Sequence, residues 1–158
     1  MKRSICLVVA ALAALAPGLG GCGKPYVVQT PPGYVEFEDR YDGDEWRAAT
    51  ADGVVLGVRA YDNEPTGDLS FWVRAVQNRL RDQGGYALLG TQRVVDRAGL
   101  EGQLMKYGHD EEKTPHVYWI AVYVDGDRVW VLEAGGTQEL VARQEAQLNW
   151  WVTSFLHQ

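Results

Sequence analysis

The residues best suited by type and spacing to do chemistry stand together: His109, Asp110, Glu111, Glu112 and His116. Imidazole and carboxylate are ligands for zinc and related divalent cations, so His109 and His116 are the candidates for a metal site. Their spacing argues for something plainer. Six residues separate them, without the i, i+4 helical geometry of HExxH, and Lys113 and Pro115 between them suit a charged hairpin tip. A second acidic group, Asp39, Asp42, Asp44 and Glu45 with Gly43, offers oxygen ligands for calcium, and Glu36 and Glu38 with the same aspartates offer an acid and base pair. Its register is not that of an EF-hand, and a chain with 21 acidic residues supplies such pairs by number alone. Nucleophiles are scarcer still. Cys6 and Cys22 are the two thiols, no Gly-x-Ser-x-Gly occurs, and Ser70 and Ser154 fall on predicted helices with no base nearby in sequence. Gly84-Gly85 closes a helix instead of opening one, which removes a phosphate loop. The expectation is a protein that is not an enzyme and uses no cofactor.

The elements that would position any site follow from periodicity. Tyr34 to Asp39 alternates weakly, and Trp46 to Thr50 and Val54 to Tyr61 flank Ala51-Asp52-Gly53 as two strands around a turn. After the polar connection Asp62 to Gly67, Asp68 caps a helix predicted through Gln83, with Leu69, Trp72, Val73, Val76 and Leu80 on one stripe and Gly84 and Gly85 ending it. Extended segments follow at Tyr86 to Val95 and Leu100 to Gly108. Val117 to Val124 and Arg128 to Ala134 then form a hairpin, which Asp125-Gly126 suits to a type I′ turn. Trp119, Ala121 and Tyr123 share one face of it, and Tyr118, Ile120, Val122 and Val124 the other. Both faces are apolar, so the hairpin belongs in the middle of a sheet covered on two sides. Thr137 caps a last helix running to about His157, with Leu140, Val141, Gln144, Leu148, Trp151, Val152 and Phe155 inward. At 100° per residue Trp150 falls on the outer side with Arg143, Ala146 and Ser154, and an outward Trp marks a candidate partner surface. The sum is an α+β fold, an antiparallel sheet of about six strands sandwiched between two helices.

The beginning of the chain has a different logic. Lys2 and Arg3 precede an uncharged Ala, Leu and Val run from Ile5 to Ala16, the length of a signal-peptide core and too short to span a bilayer before Pro17, Gly18, Gly20 and Gly21. Leu19-Gly20-Gly21-Cys22 resembles the lipobox of bacterial lipoproteins. That resemblance implies cleavage before Cys22, diacylglycerol on its sulfur and acylation of the new amino group. Gly23, standing where an Asp is associated with inner-membrane retention, implies the outer membrane over the inner. Residues 1–21 are then a signal peptide, and 22–33, with Pro25, Pro31 and Pro32, a lipidated cysteine and tether in which Tyr26 to Gln29 is able to pair as an edge strand. Residues 34–158 form a single domain.

Lys2 and Arg3 account for two of the 15 basic residues, leaving 13 against 21 acidic ones and a net charge of about −8 for the processed chain. Such a balance disfavours nucleic acid as a partner, since phosphate binding needs clustered Lys and Arg. With Cys22 acylated no disulfide is possible, so six Trp and eight Tyr, all beyond the leader, must build the core.

In element order and apolar pattern the chain resembles the PsbP-like αβα sandwich, a family that includes photosystem II extrinsic subunits, a Ran-binding import factor and bacterial lipoproteins. The likeness rests on the helix from Leu69 to Gln83, the Gly99-Leu100-Glu101-Gly102 strand entry, the hairpin from Trp119 to Leu132 and Trp151-x-x-x-Phe155. It implies an accessory binding role without a shared active site. Three functions remain open on these grounds: a membrane-anchored envelope domain with a protein partner; a metal-binding protein or hydrolase using the loop 109–116; and a carrier with a small-ligand pocket between sheet and helix lined by Trp72, Trp119 or Trp130.

Overall fold

A computed structural model describes residues 24–37, 45–111 and 113–158. In chain order the elements are β1 (Tyr26–Val27), β2 (Val35–Glu36), β3 (Glu45–Ala49), β4 (Val55–Asp62), α1 (Leu69–Gly84), β5 (Ala87–Val95), β6 (Glu101–Glu111), β7 (Thr114–Asp125), β8 (Arg128–Thr137), α2 (Gln138–Arg143), α3 (Glu145–Ser154) and β9 (Leu156–His157). Seven strands form one sheet in the order β2-β3-β4-β8-β7-β6-β5, every neighbouring pair antiparallel, and β1 pairs with β9 in a separate ribbon. The expected α+β sandwich is present, with more strands than the six anticipated.

Helix α1 forms because its apolar positions recur every three or four residues and both ends are capped. The Asp68 carboxylate accepts the Phe71 N–H at 2.7 Å, and Gly85, at φ 64°, takes the left-handed conformation after the last turn. Its stripe of Leu69, Trp72, Val73, Val76 and Leu80 packs on Met105, Tyr107, Ile120, Val122 and Val129. On the other face α2 and α3 cover a larger core in which Trp151 lies 6.1 Å from Trp46 in a stacked pair and Phe155 stacks on Tyr123 at 5.4 Å. Alternation along β7 feeds both cores, Trp119, Ala121 and Tyr123 entering the second and Ile120 and Val122 the first. Burying so much aromatic surface on two sides is what lets the fold hold by packing.

Several local expectations need correction. The β7–β8 turn has Gly126 and Asp127 as its central pair, closed by Asp125 opposite Arg128, and Gly126 alone has positive φ, 53°. That is the type II′ arrangement, with glycine first, and not type I′. The last helix is two: Gln144, at φ −106° and ψ 9°, breaks it, and α3 stops at Ser154, so Phe155 to His157 are not helical. Tyr34 donates to the Gln144 side chain and Gln147 donates to the Pro32 carbonyl at 2.7 Å, so the incoming chain grips both sides of the break. Ser154, expected outside with Trp150, is 7 % exposed because the chain turns inward there, its hydroxyl donating to the Trp151 carbonyl. Within residues 25–33 the pairing open to Tyr26 to Gln29 is made at Tyr26–Val27: Tyr26 is buried, β1 pairs with β9, and the Pro25 carbonyl accepts from Trp130 Nε1 and from the Gln158 N–H, both at 3.0 Å. Proline content suggested an irregular segment, but two tyrosines with pockets to fill, Tyr26 and Tyr34, decided its course.

Candidate binding site on the open half of the sheet

Helix α1 packs over β6 and β7 and reaches β8, and among the described residues no helix covers the same face of β3 and β4. Alternation makes that face polar. Leu56, Val58 and Ala60 of β4 point into the core beneath α2 and α3, so Val55, Gly57, Arg59 and Tyr61 point the other way, beside Glu45 and Arg47 of β3 and Glu133 and Gly135 of β8. A groove of about 610 Å³ runs along it, within the size range of small-molecule sites. Its lining includes Arg47, Gly57, Arg59, Tyr118, Glu133 and Gly135, with Asp52, His116 and Thr137 at the end farther from the Gly126 turn.

The charges here are mutually compensated. Arg59 Nε lies 2.9 Å from Glu45 Oε1, though its N–H is not aligned well enough for a hydrogen bond, so that contact is mainly Coulombic. Arg59 Nη2 is 3.8 Å from Glu133 Oε2, and Arg47 Nη2 is 3.3 Å from Glu45 Oε2. Burial alone would weaken the charge on Arg59, but Tyr61, Glu133 and Glu45 together raise its pKa. The Tyr118 hydroxyl donates to Glu133, and burial followed by the Glu133 charge pushes its phenol far above the ordinary value, so it stays a neutral donor. The arrangement can bind.

Two glycines form the floor. Gly57 lies directly opposite Glu133, and Gly135 directly opposite Tyr118. Neither has positive φ, and a Cβ on Gly57 would meet nothing nearer than Glu133 Oε2 at 3.6 Å, an ordinary contact. Backbone and packing would therefore both accept a side chain at Gly57.

A second polar cluster, at the opposite end of the sheet, is structural. The Asp96 side chain is fully buried; its carboxylate accepts the N–H groups of Ala98 and Leu100, both at 2.8 Å, and His157 Nδ1 at 2.6 Å. Burial opposes its charge, but the hydrogen bonds from His157, Leu100 and Ala98 win and hold the carboxyl below its usual range. His157, which the sequence places at the end of the last helix, instead latches β9 between Asp96 and Asp125, with Trp130 against its ring. Asn63 does similar work nearby, its side chain bonding Gly67, Gly126 and the Trp72 indole N–H.

The residues singled out by sequence fall elsewhere. His109 and His116 are not on a loop: they face each other across β6 and β7, because both strands continue to a turn after Glu111, where Lys113 has φ 68°. The His109 ring lies 4.7 Å from that of Tyr86, and His116 Nδ1 is 2.9 Å from the Thr114 carbonyl. Among the described residues no three metal-ligating side chains converge. Glu112, Glu38, Asp39, Asp42, Asp44 and Cys22 lie outside the described residues. Trp150 is 44 % exposed on α3. Trp72 belongs to the core under α1, whereas Trp119 and Trp130 belong to the core under α2 and α3, so they line no common pocket. Trp119 borders only a crevice of about 200 Å³, roofed by Lys106, whose Nζ sits 3.9 Å above the indole and 2.8 Å from Glu145. Arg47, Arg59 and Glu133 went unremarked in the sequence and Tyr118 was read only as part of an apolar face, although the polar alternate positions of Glu45-Trp46-Arg47 and Gly57-Val58-Arg59 carry the pattern.

Fold and site together define an α+β domain of the PsbP-like architecture with an open, polar sheet face. No family model matches the sequence, and no curated protein sequence does. Solved structures are similar in fold at low identity. The solution structure of cyanobacterial PsbP from Synechocystis matches with a TM-score of 0.59 at 11 % identity, over 93 % of this chain and 99 % of that one. The Ran-binding protein Mog1p of Saccharomyces cerevisiae matches with 0.59 at 13 %, over 89 % and 92 %. LpqN of Mycobacterium tuberculosis, described as involved in cell envelope biogenesis, matches with 0.57 at 9 %, over 83 % and 82 %.

Proposed function

We propose that this chain is a lipoprotein of the bacterial cell envelope, anchored through acylated Cys22 and carrying a non-catalytic binding domain that acts as an accessory factor. The observation that carries the reading is the succession of Lys2-Arg3, the apolar run to Ala16 and Leu19-Gly20-Gly21-Cys22. Each buried acyl methylene contributes about 0.8 kcal/mol, so two or three chains are enough to hold the domain at a bilayer. No helix among the described residues is long and apolar enough to cross a membrane. Only Gly23 and Lys24 separate Cys22 from Pro25, where the chain is already docked on Trp130, a reach of about 10 Å at full extension. The Asp125–Asp127 turn then lies toward the lipid, and the groove opens from the far half of the sheet. The outer membrane is the favoured location. The mix of neighbours, one Ran-binding and one involved in envelope biogenesis, supports a protein partner, and exposed Trp150 is the surface proposed to meet it.

Fractionation and fatty-acid labelling test the reading. The wild-type chain should sediment with membranes, require detergent for release and incorporate labelled fatty acid, while Cys22→Ser should incorporate none and keep residues 1–21. Equal labelling and equal processing of the two would contradict it.

A further inference from the structure

The uncovered face of β3, β4 and β8 has a feature that stability does not explain. Glycine inside a strand costs conformational entropy and packs nothing, and it persists where a bulge, a positive φ or close approach requires it. At Gly57 the first two fail: φ is not positive, the β3–β4 and β4–β8 registers run through it without a shift, and a Cβ would find room. What remains is access. Gly57 and Gly135 together leave a shallow apolar floor, edged by Val55 and the Tyr118 ring, on which a flat group can lie against the sheet.

The rim decides what kind of group. Arg47 and Arg59 are already neutralised by Glu45 and Glu133, and Asp52 adds a further negative charge, so the groove has no cationic surplus with which to hold a phosphate or a carboxylate. An apolar ligand would bury these ion pairs without hydrogen bonding to them, which is costly. After pairing, the Arg59 guanidinium still has N–H groups and the Glu45 and Glu133 carboxylates still have lone pairs, so donors and acceptors alternate within one row of the sheet. Vicinal hydroxyls, each at once donor and acceptor, answer that row, and the C–H face of a sugar ring answers the glycine floor.

We propose that this groove is a binding site for a neutral saccharide, which lies on Gly57 and Gly135 and hydrogen-bonds through its hydroxyls to Arg59 and Glu133. The proposal rests on reading the chain as a binding domain and is independent of its anchor.

The test uses the processed chain purified from membranes in a detergent without a sugar headgroup. N-acetylchitotriose, maltotriose and cellotriose would be titrated in turn, followed by calorimetry and by amide shifts in a ¹⁵N-labelled sample, with inorganic phosphate and a trigalacturonate as charged comparisons. Saturable binding of at least one neutral trisaccharide is expected, with shifts centred on Gly57, Arg59, Tyr118 and Gly135. Gly57→Val, which fills the floor, should weaken that binding at least tenfold while the melting temperature stays within a few degrees. Glu133→Gln, which keeps shape and loses the charged acceptor, should weaken it also, and it serves if Gly57→Val fails to fold. Failure of all three sugars to saturate, binding unaffected in the folded variants, or preference for the charged probes would overturn the proposal. Fatty-acid labelling of the wild type and Cys22→Ser is unaffected by any of these results, so failure here is distinct from failure of the anchor.

Discussion

The two halves of the sheet are built from the same alternating pattern and put to different use. In β6 and β7 both sets of alternate positions are apolar: Met105 and Ile120 meet α1, while Leu104 and Ala121 meet the core under α2 and α3. In β3 and β4 only one set is. Trp46, Ala48, Leu56 and Val58 are buried, and their neighbours Arg47, Gly57 and Arg59 face a groove. A strand covered on both sides leaves no position free of packing. A strand covered on one side can hold the fold with half its residues and present the rest, and the proposed saccharide site uses those.

The contrast can be broken by substitution, most strongly on the covered side. Trp151→Ala removes a fully buried indole stacked on Trp46 and should cost about 3–5 kcal/mol in denaturant unfolding, whereas Trp150→Ala, one residue away but exposed, should cost less than about 0.5. Equal losses would remove the distinction between core and surface on α3. Next is the Asp96 latch. Asp96→Ala leaves the Ala98 and Leu100 N–H groups and His157 without their acceptor, and a loss of about 2–3 kcal/mol is expected. Because the folded state lowers the Asp96 pKa from 3.8, folding disfavours its protonation. Its contribution is full above the unfolded value and is lost as pH falls through the lower, folded one. Melting curves of the wild type should therefore drop more steeply below about pH 4 than those of Asp96→Asn, and parallel profiles would refute this role.

Effects on the open half should be smaller. Arg59→Ala breaks two ion pairs that are screened by partial exposure, 31 % for the Arg59 side chain, so about 1 kcal/mol is expected, shrinking as salt is added. Smallest is Gly57→Ala, which should be neutral or stabilising by up to about 1 kcal/mol, since the strand gains a β-carbon in a space that admits it. A clear loss of stability would show that the position needs glycine for the fold, and the case for a ligand resting there would weaken with it.

The legible parts of the sequence were those governed by local periodicity. The α1 stripe with Asp68 and Gly85 at its ends, and the two apolar faces of β7, read directly because neighbours along the chain fix them. What was missed depends on pairing between distant residues. Nothing near Asp96 in sequence announces His157, 61 positions on, and nothing in 23–33 shows that Pro25 will cap the Trp130 indole. The groove was half legible: the polar alternation of β3 and β4 was in plain view, but only the sheet order sets Glu133 beside Gly57 and places α1 over the other half. The histidines misled because a charged, Pro-containing stretch reads as a loop, whereas β6 and β7 pair through it.

We propose that this two-sided domain works from a lipid surface, held at Cys22, and the intact mass of the chain extracted from membranes tests this. A polypeptide beginning at Cys22 with a diacylglyceryl group on sulfur and a further acyl chain on the amino group is expected; a chain with an unmodified thiol at Cys22, or one cut elsewhere, would contradict the proposal.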